Sequence, residues 1–198
     1  MANDASRLEE TPMINQIAAH LRAAEKLNEC VPLLERICSK IESCFKNGGR
    51  LYVLGNGGSA ADAQHIAAEM LGRFKIDRQA LPTVALTTDS STLTAIGNDL
   101  GGEFVFSRQV EALATDRDIV WALSVSGRSP NVINAVKAAR KQGAFVIGFT
   151  SLKGDELAEY CDECLRAHAT DSDRVQEVHE LAYHLICERI ESAFADSE

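Results

Sequence analysis

Two pairs of polar residues and two small-residue loops carry the chemistry open to this chain. His65 and Glu69 lie four apart in HIAAE, directly after the loop Gly55-Asn-Gly-Gly-Ser59. That spacing puts both side chains on one face of a helix. Gln176 and His184 lie in QEVHELAYH near the C-terminus. A carboxylate base, an imidazole that exchanges protons near neutrality and a set of metal-ligating atoms thus flank a glycine-rich loop. The second loop is Ser124-Val-Ser-Gly-Arg-Ser-Pro130, opening onto a helix at Asn131. Three hydroxyls, a glycine and a helix N-terminus suit a terminal phosphate monoester, which has three oxygens to satisfy. The plainer alternative for this loop alone is a serine helix cap.

The elements that must position these groups alternate. Residues 13–30 have a helical pattern, with Ile14, Ile17, Ala18, Leu21 and Ala24 on one face. Pro32 interrupts, and a second helix runs to about Asn47, stopped by Gly48 and Gly49. Strands are expected at 50–54, 82–86, 118–123 and 144–149, with a weak fifth at 163–167. Helices are expected from Ser59, a candidate N-cap, to about Gly72, then near 90–97, 103–113, 130–142 and 174–194. Short apolar strands separated by helices argue for an α/β fold with a parallel sheet covered on both faces. Such folds bind ligands at the carboxyl ends of strands, where both loops fall. The expected organisation is N-terminal helices over residues 1–48 and an α/β domain over 49–198, in one structural domain overall. The two N-terminal helices precede the sheet and would pack on it or on another subunit.

Composition narrows the function. The chain has 198 residues, 45% of them hydrophobic, and a net charge of −9. That allows one domain with a substantial core. No Lys/Arg block stands out, which argues against nucleic acid as a partner. An acidic protein must therefore hold phosphate locally, through N–H groups and hydroxyls. No apolar run nears the roughly 18 residues of a membrane span, and MANDASRLEETP has no signal-peptide core. A cytoplasmic protein with its six cysteines reduced is the expectation. Cys161 and Cys164 form a lone C-x-x-C, read as two small apolar residues entering a strand rather than as redox or zinc chemistry. Gly55-x-Gly57-x-x-Ala60 loosely matches a dinucleotide fingerprint, but Asp89 is a poor candidate for its acidic residue and the serine loop argues against it.

GNGGSAADAQHIAAE, LTTDSSTLTAIGND, SVSGRSPNV and RVQEVHELAYH together resemble the sugar isomerase (SIS) family over nearly the whole chain. Within it they look like the phosphoheptose isomerases, which convert sedoheptulose 7-phosphate to D-glycero-D-manno-heptose 7-phosphate for surface-glycan precursors. The resemblance implies an SIS-type three-layer αβα sandwich with a parallel five-stranded, Rossmann-like sheet. It also implies a homotetramer with sites at subunit interfaces. Ser124, Val125, Ser126 and Ser129 would take the phosphate, and Asn56, Gly57, Gly58, Asn98 and Asp99 the sugar. Glu69, Asp173 and Gln176 would also face the substrate. His65, Glu69, Gln176 and His184 match a zinc site, and Glu69 and His184 match the base and acid. The family's phosphate loop usually carries a threonine where this chain has Val125, and Arg128 replaces a small polar residue or lysine. A guanidinium there can offset the lost hydroxyl with a charge-assisted bond.

The residues by themselves agree. Moving a proton between adjacent carbons through an enediol needs a base at carbon, a proton donor at oxygen and an anchored phosphate. Gln176 and His184 are eight apart, about 12 Å of rise and about 80° of rotation, so sharing one ion demands convergent side chains or a bend. Gln is also an uncommon zinc ligand. His179 is read as packing, Glu180 as either a surface charge or a supporting partner. The stripe Val178, Leu181, Leu185, Ile186 and Ile190 is read as core or subunit interface. Two other functions fit the same fold: a non-enzymatic partner of the bacterial replication initiator, in which the acid–base pair is not kept, and a sugar-phosphate sensor.

Overall fold

A computed structural model describes residues 11–195. Two helices open it: α1 (Pro12–Lys26), joined by a 3₁₀ turn at Leu27–Cys30 to α2 (Val31–Lys46). Thr11 caps α1 by accepting the Ile14 N–H, and Pro12 stands where a helix start has no N–H to lose. Pro32 likewise lies in the first turn of α2, and the two helices expected on either side of it are observed. Strand β1 (Leu51–Gly55) leads into α3 (Gly58–Leu71), and β2 (Thr83–Ala85) into α4 (Ser90–Asp99). A 3₁₀ turn at Gly102–Phe104 and α5 (Ser107–Leu113) precede β3 (Ile119–Leu123), α6 (Pro130–Lys141) and β4 (Phe145–Ser151). A short α7 (Asp155–Ala158), not foreseen from the sequence, leads to β5 (Glu163–Ala167) and the long α8 (Ser172–Phe194).

The five strands form one parallel sheet in the order β2-β1-β3-β4-β5. Chain order reverses between β1 and β3, and the loops leaving their carboxyl ends are the two glycine- and serine-rich segments. Alternate strand residues feed two cores. Leu51, Val53, Ile119, Trp121 and Phe149 face α2, α3 and α8, while Tyr52, Leu54, Val120 and Val146 face α5 and α6. The layered α/β architecture expected from the strand–helix alternation is therefore observed.

Helix α2 places Leu34, Ile37 and Ile41 in the same core as the sheet. Helix α1 differs. Ile17 and Leu21, two residues of the apolar face read from the sequence, are 59% and 61% exposed, and Met13 is 78% exposed. Its other side lies on α8, where Arg174 donates to the Gln16 carbonyl and His20 Nδ1 sits 2.8 Å from Glu177. The stripe on α8 also divides: Val178, Ile186 and Ile190 are buried, whereas Leu181 and Leu185 are exposed. Among the described residues, no helix is long and apolar enough to cross a membrane.

Candidate active site

The site begins where the chain turns from strand into helix. After β1, Gly57 adopts φ +56°, a left-handed conformation that glycine takes without steric cost. It caps α3, which therefore starts at Gly58 rather than behind Ser59. After β3, Gly127 has φ +63°, and a Cβ there would lie 2.4 Å from the Gly154 Cα. No larger residue fits that corner. The two loops are tied by a reciprocal amide pair: Asn56 Nδ2 donates to Asn131 Oδ1, and Asn131 Nδ2 to Asn56 Oδ1, both at 2.8 Å.

Between the loops lies a cavity of about 230 Å³, lined by Asn56, Gly58, Ser124, Val125, Ser126, Ser129 and Gln176, with Ser59 and Ser172. Ser129 stands at the N-cap position of α6, yet its hydroxyl caps nothing; it lies 3.3 Å from the Ser124 hydroxyl. The ordinary-cap reading thus loses its hydrogen bond, and the hydroxyls face a space of phosphate size beside a helix N-terminus. Val125 lines the cavity with an aliphatic side chain that also packs on the core. Arg128 is exposed, and its N–H donates to the Ser126 hydroxyl.

From this cavity α3 and α8 run side by side. Near the cavity, Gln176 Nε2 donates to Asp62 Oδ2 at 3.4 Å. Burial pushes the Asp62 carboxyl up to about 6, against the lowering effect of that bond. Further along, His65 Nε2 meets Glu69 Oε1 at 3.1 Å and His65 Nδ1 meets the Tyr183 hydroxyl at 2.9 Å. His184 packs edge-on to the His65 ring with centroids 4.9 Å apart, and stacks on Phe74 at 5.5 Å and 11°. Burial, then the neighbouring His65, hold the His184 imidazole below its ordinary pKa. A neutral imidazole keeps one N–H and one lone pair, so it can pass a proton in either direction. One ligand atom from each of His65, Glu180 and His184 lies within 4.8 Å of the others. Two imidazoles and a carboxylate are donors that zinc accepts.

The geometry sorts the residues picked from the sequence. Asn56, Gly58, Ser124, Val125, Ser126, Ser129 and Gln176 share the cavity wall. Gly57 shapes the turn instead. Asn98 and Asp99 are exposed on α4 and bond to each other at 2.7 Å, away from the cavity wall. Asp173 is exposed and accepts the Arg174 N–H. His179 is buried against the Thr150 carbonyl, a packing position. The sequence reading missed Asn131, Ser172 and the Glu191–Arg78 pair. Glu191 accepts the N–H groups of Phe74, Lys75 and Ile76, which fixes the loop that carries Phe74. Only Ser172 carried a sequence signal, a hydroxyl at the start of the last helix.

Comparison with known proteins gives the arrangement a family. The SIS domain model matches residues 14–151. A phosphoheptose isomerase of Bradyrhizobium sp. (strain BTAi1) is 52% identical over 158 residues, 80% of each chain. That of Campylobacter concisus is 45% identical over 93% of this chain and 98% of its own. The solved phosphoheptose isomerase of Neisseria gonorrhoeae superposes with a TM-score of 0.86 at 41% identity, covering 91% of this chain and 97% of that one. A fold and a sequence that agree over this length leave one placement: the chain belongs to the SIS domain family, among its phosphoheptose isomerases.

Proposed function

We propose that this enzyme interconverts sedoheptulose 7-phosphate and D-glycero-D-manno-heptose 7-phosphate through an enediol, supplying heptose for surface glycans. The observation that carries this reading is the alignment of an uncapped serine cavity with acid–base groups on the two adjoining helices. Ser124, Ser126 and Ser129 hold the phosphate, and Val125 contributes backbone and contact. The sugar chain extends along α3 and α8 past Gln176. His65 is seven residues beyond Gly58, about 10 Å of helix, a span that an extended seven-carbon chain covers. Glu69 removes the proton at carbon and His184 serves the oxygen. Asn98, Asp99 and Asp173 are assigned to the substrate by family likeness, as residues that meet it from outside the cavity wall.

One zinc ion per subunit fits the donors between α3 and α8, for which the family likeness names His65, Glu69, Gln176 and His184. When bound, such an ion polarises a carbonyl oxygen as a Lewis acid. The exposed Met13, Ile17 and Leu21 of α1, with Leu181 and Leu185 of α8, support a homotetramer in which residues 1–48 serve oligomerisation. Six unbridged cysteines accord with a cytoplasmic protein.

The test is turnover of sedoheptulose 7-phosphate by the wild type, Glu69→Gln and His184→Gln. Loss of either proton-transfer group should lower kcat by about 10²–10⁴-fold. Absence of turnover by wild type, with inorganic phosphate still bound, would overturn the isomerase reading in favour of a sensor or initiator partner.

A further inference from the structure

Tyr183 has no part in the chemistry assigned so far, yet its hydroxyl is spent on a residue that has. The side chain is buried in α8, with the residue 1% exposed. Its ring packs edge-on to His184 at 4.7 Å and to His65 at 5.4 Å. Its hydroxyl lies 2.9 Å from His65 Nδ1, while the other ring nitrogen, Nε2, lies 3.1 Å from Glu69 Oε1. The His65 imidazole is therefore held at both nitrogens, once from its own helix and once from α8.

These two contacts decide which nitrogen carries the proton. An ionised Glu69 only accepts, so a neutral His65 paired with it donates through Nε2–H. Nδ1 is then a lone pair, and the Tyr183 O–H donates to it. Metal binding asks the reverse of the same ring: a lone pair at the ligating nitrogen, and an N–H donated from the other to a fixed acceptor. Nε2 and Glu69 Oε1 suit one ion, because their 3.1 Å is close to the about 3.3 Å between two donors bonded at about 2.0–2.1 Å in a tetrahedron. His65 must then carry its proton on Nδ1, opposite Tyr183. A carbonyl at that place would serve only this second tautomer, and an N–H only the first. A hydroxyl serves both, since its oxygen accepts and its hydrogen rotates. The carboxylates of Asp62 and Glu180 both act on the phenol, and either attracts a hydroxyl hydrogen turned away from the imidazole. We propose that Tyr183 is a positioning residue of the metal centre, its hydroxyl donating to His65 Nδ1 in the metal-free protein and accepting from Nδ1–H once Nε2 holds zinc. The proposal rests on the zinc reading above and keeps its four residues.

Cobalt(II) affinity of the full-length protein, read from visible absorption, tests this without turnover. Tyr183→Phe keeps the ring and its contacts and removes the hydroxyl alone. It should bind Co²⁺ about 10–100-fold more weakly than wild type, the loss typical of an outer partner of a metal ligand. Tyr52 is the matched control, a phenol 3% exposed in the other core that donates to the Leu113 carbonyl at 3.1 Å. Tyr52→Phe loses a comparable bond and should hold Co²⁺ within about twofold of wild type, as expected of a distant site with no shared partner. Circular dichroism checks that both variants fold. Equal affinity in wild type and Tyr183→Phe overturns the proposal, as does an equal loss in both variants. A second measurement needs no variant of Tyr183. In ¹⁵N NMR of histidine-labelled protein, the His65 signals, identified by their loss in His65→Gln, should show the proton on Nε2 before zinc and on Nδ1 after it. Any other order overturns the proposal and leaves the zinc reading standing. Failure of wild type to bind Co²⁺ removes both, while turnover of sedoheptulose 7-phosphate separately judges the isomerase.

Discussion

Replacing Glu191 by Ala should destabilise the protein by about 3 kcal/mol and disturb a site that Glu191 never touches. The carboxylate is 1% exposed. It accepts the N–H groups of Phe74 at 2.7 Å, Lys75 at 2.6 Å and Ile76 at 2.9 Å, and lies 3.7 Å from Arg78 Nε. Removing one member of a buried ion pair costs about 3–5 kcal/mol, and each orphaned N–H about 1–3. Arg78 keeps the carbonyls of Glu69, Met70, Gly72 and Gln79, and water reaches the exposed Lys75 and Ile76, so the lower end applies. With a urea slope of about 2 kcal/mol/M, the midpoint should fall by about 1.5 M at fixed protein concentration. Glu191→Gln keeps one accepting oxygen but sets an NH₂ against donors, and should fall in between. Freed of its clamp, the 73–77 loop should release Phe74 from His184, so kcat should drop with stability. Burial raises the Glu191 pKa, but its three N–H donors and Arg78 together outweigh burial and hold it below the ordinary carboxylate range. A depressed folded pKa stabilises above the unfolded value of about 4.3, and that stability is lost as pH falls through the lower folded value. The Gln variant should lack this acid-dependent slope. A midpoint shift under about 0.5 M for Glu191→Ala would refute the reasoning.

Three further substitutions separate shape from chemistry. Ser129→Ala should leave thermal stability within about 0.5 kcal/mol, because no capping bond is lost, yet weaken substrate binding by about 10–100-fold through one bond to a charged phosphate; a stability loss near 1 kcal/mol would restore the ordinary cap. Gly127→Ala forces a left-handed φ on a residue with a Cβ and drives that Cβ onto Gly154, so it should cost about 2–4 kcal/mol in denaturation and abolish binding of inorganic phosphate in calorimetry; a wild-type titration would count against the turn. Gly58→Ala should displace the flexible Gln176 amide with little effect on denaturation, and a KM unchanged within twofold would show that Gln176 does not serve the cavity.

Much of this protein is local in origin and therefore legible along the chain. Alternating apolar strands and amphipathic helices imposed a covered parallel sheet, and even the weak ECLRA strand lies at Glu163–Ala167. The serine loop, the HxxxE pair and the last helix could be read because loop chemistry and helical spacing are properties of neighbours in sequence. Proline at residue 32 marked the start of the second helix, since its ring suits the first turn of a helix and breaks a later one. The long-range pairings had no such signature. Asn56 meets Asn131 across 75 positions and Glu191 reaches Phe74 across 117, and nothing in either segment announces its partner. The exposed side of α1 and the division of the α8 stripe depend on which faces the sheet covers. The gathering of His65, Glu180 and His184 is decided by how α3 and α8 lie against each other. Sequence spacing sets the face a side chain leaves from; only packing decides what stands opposite it.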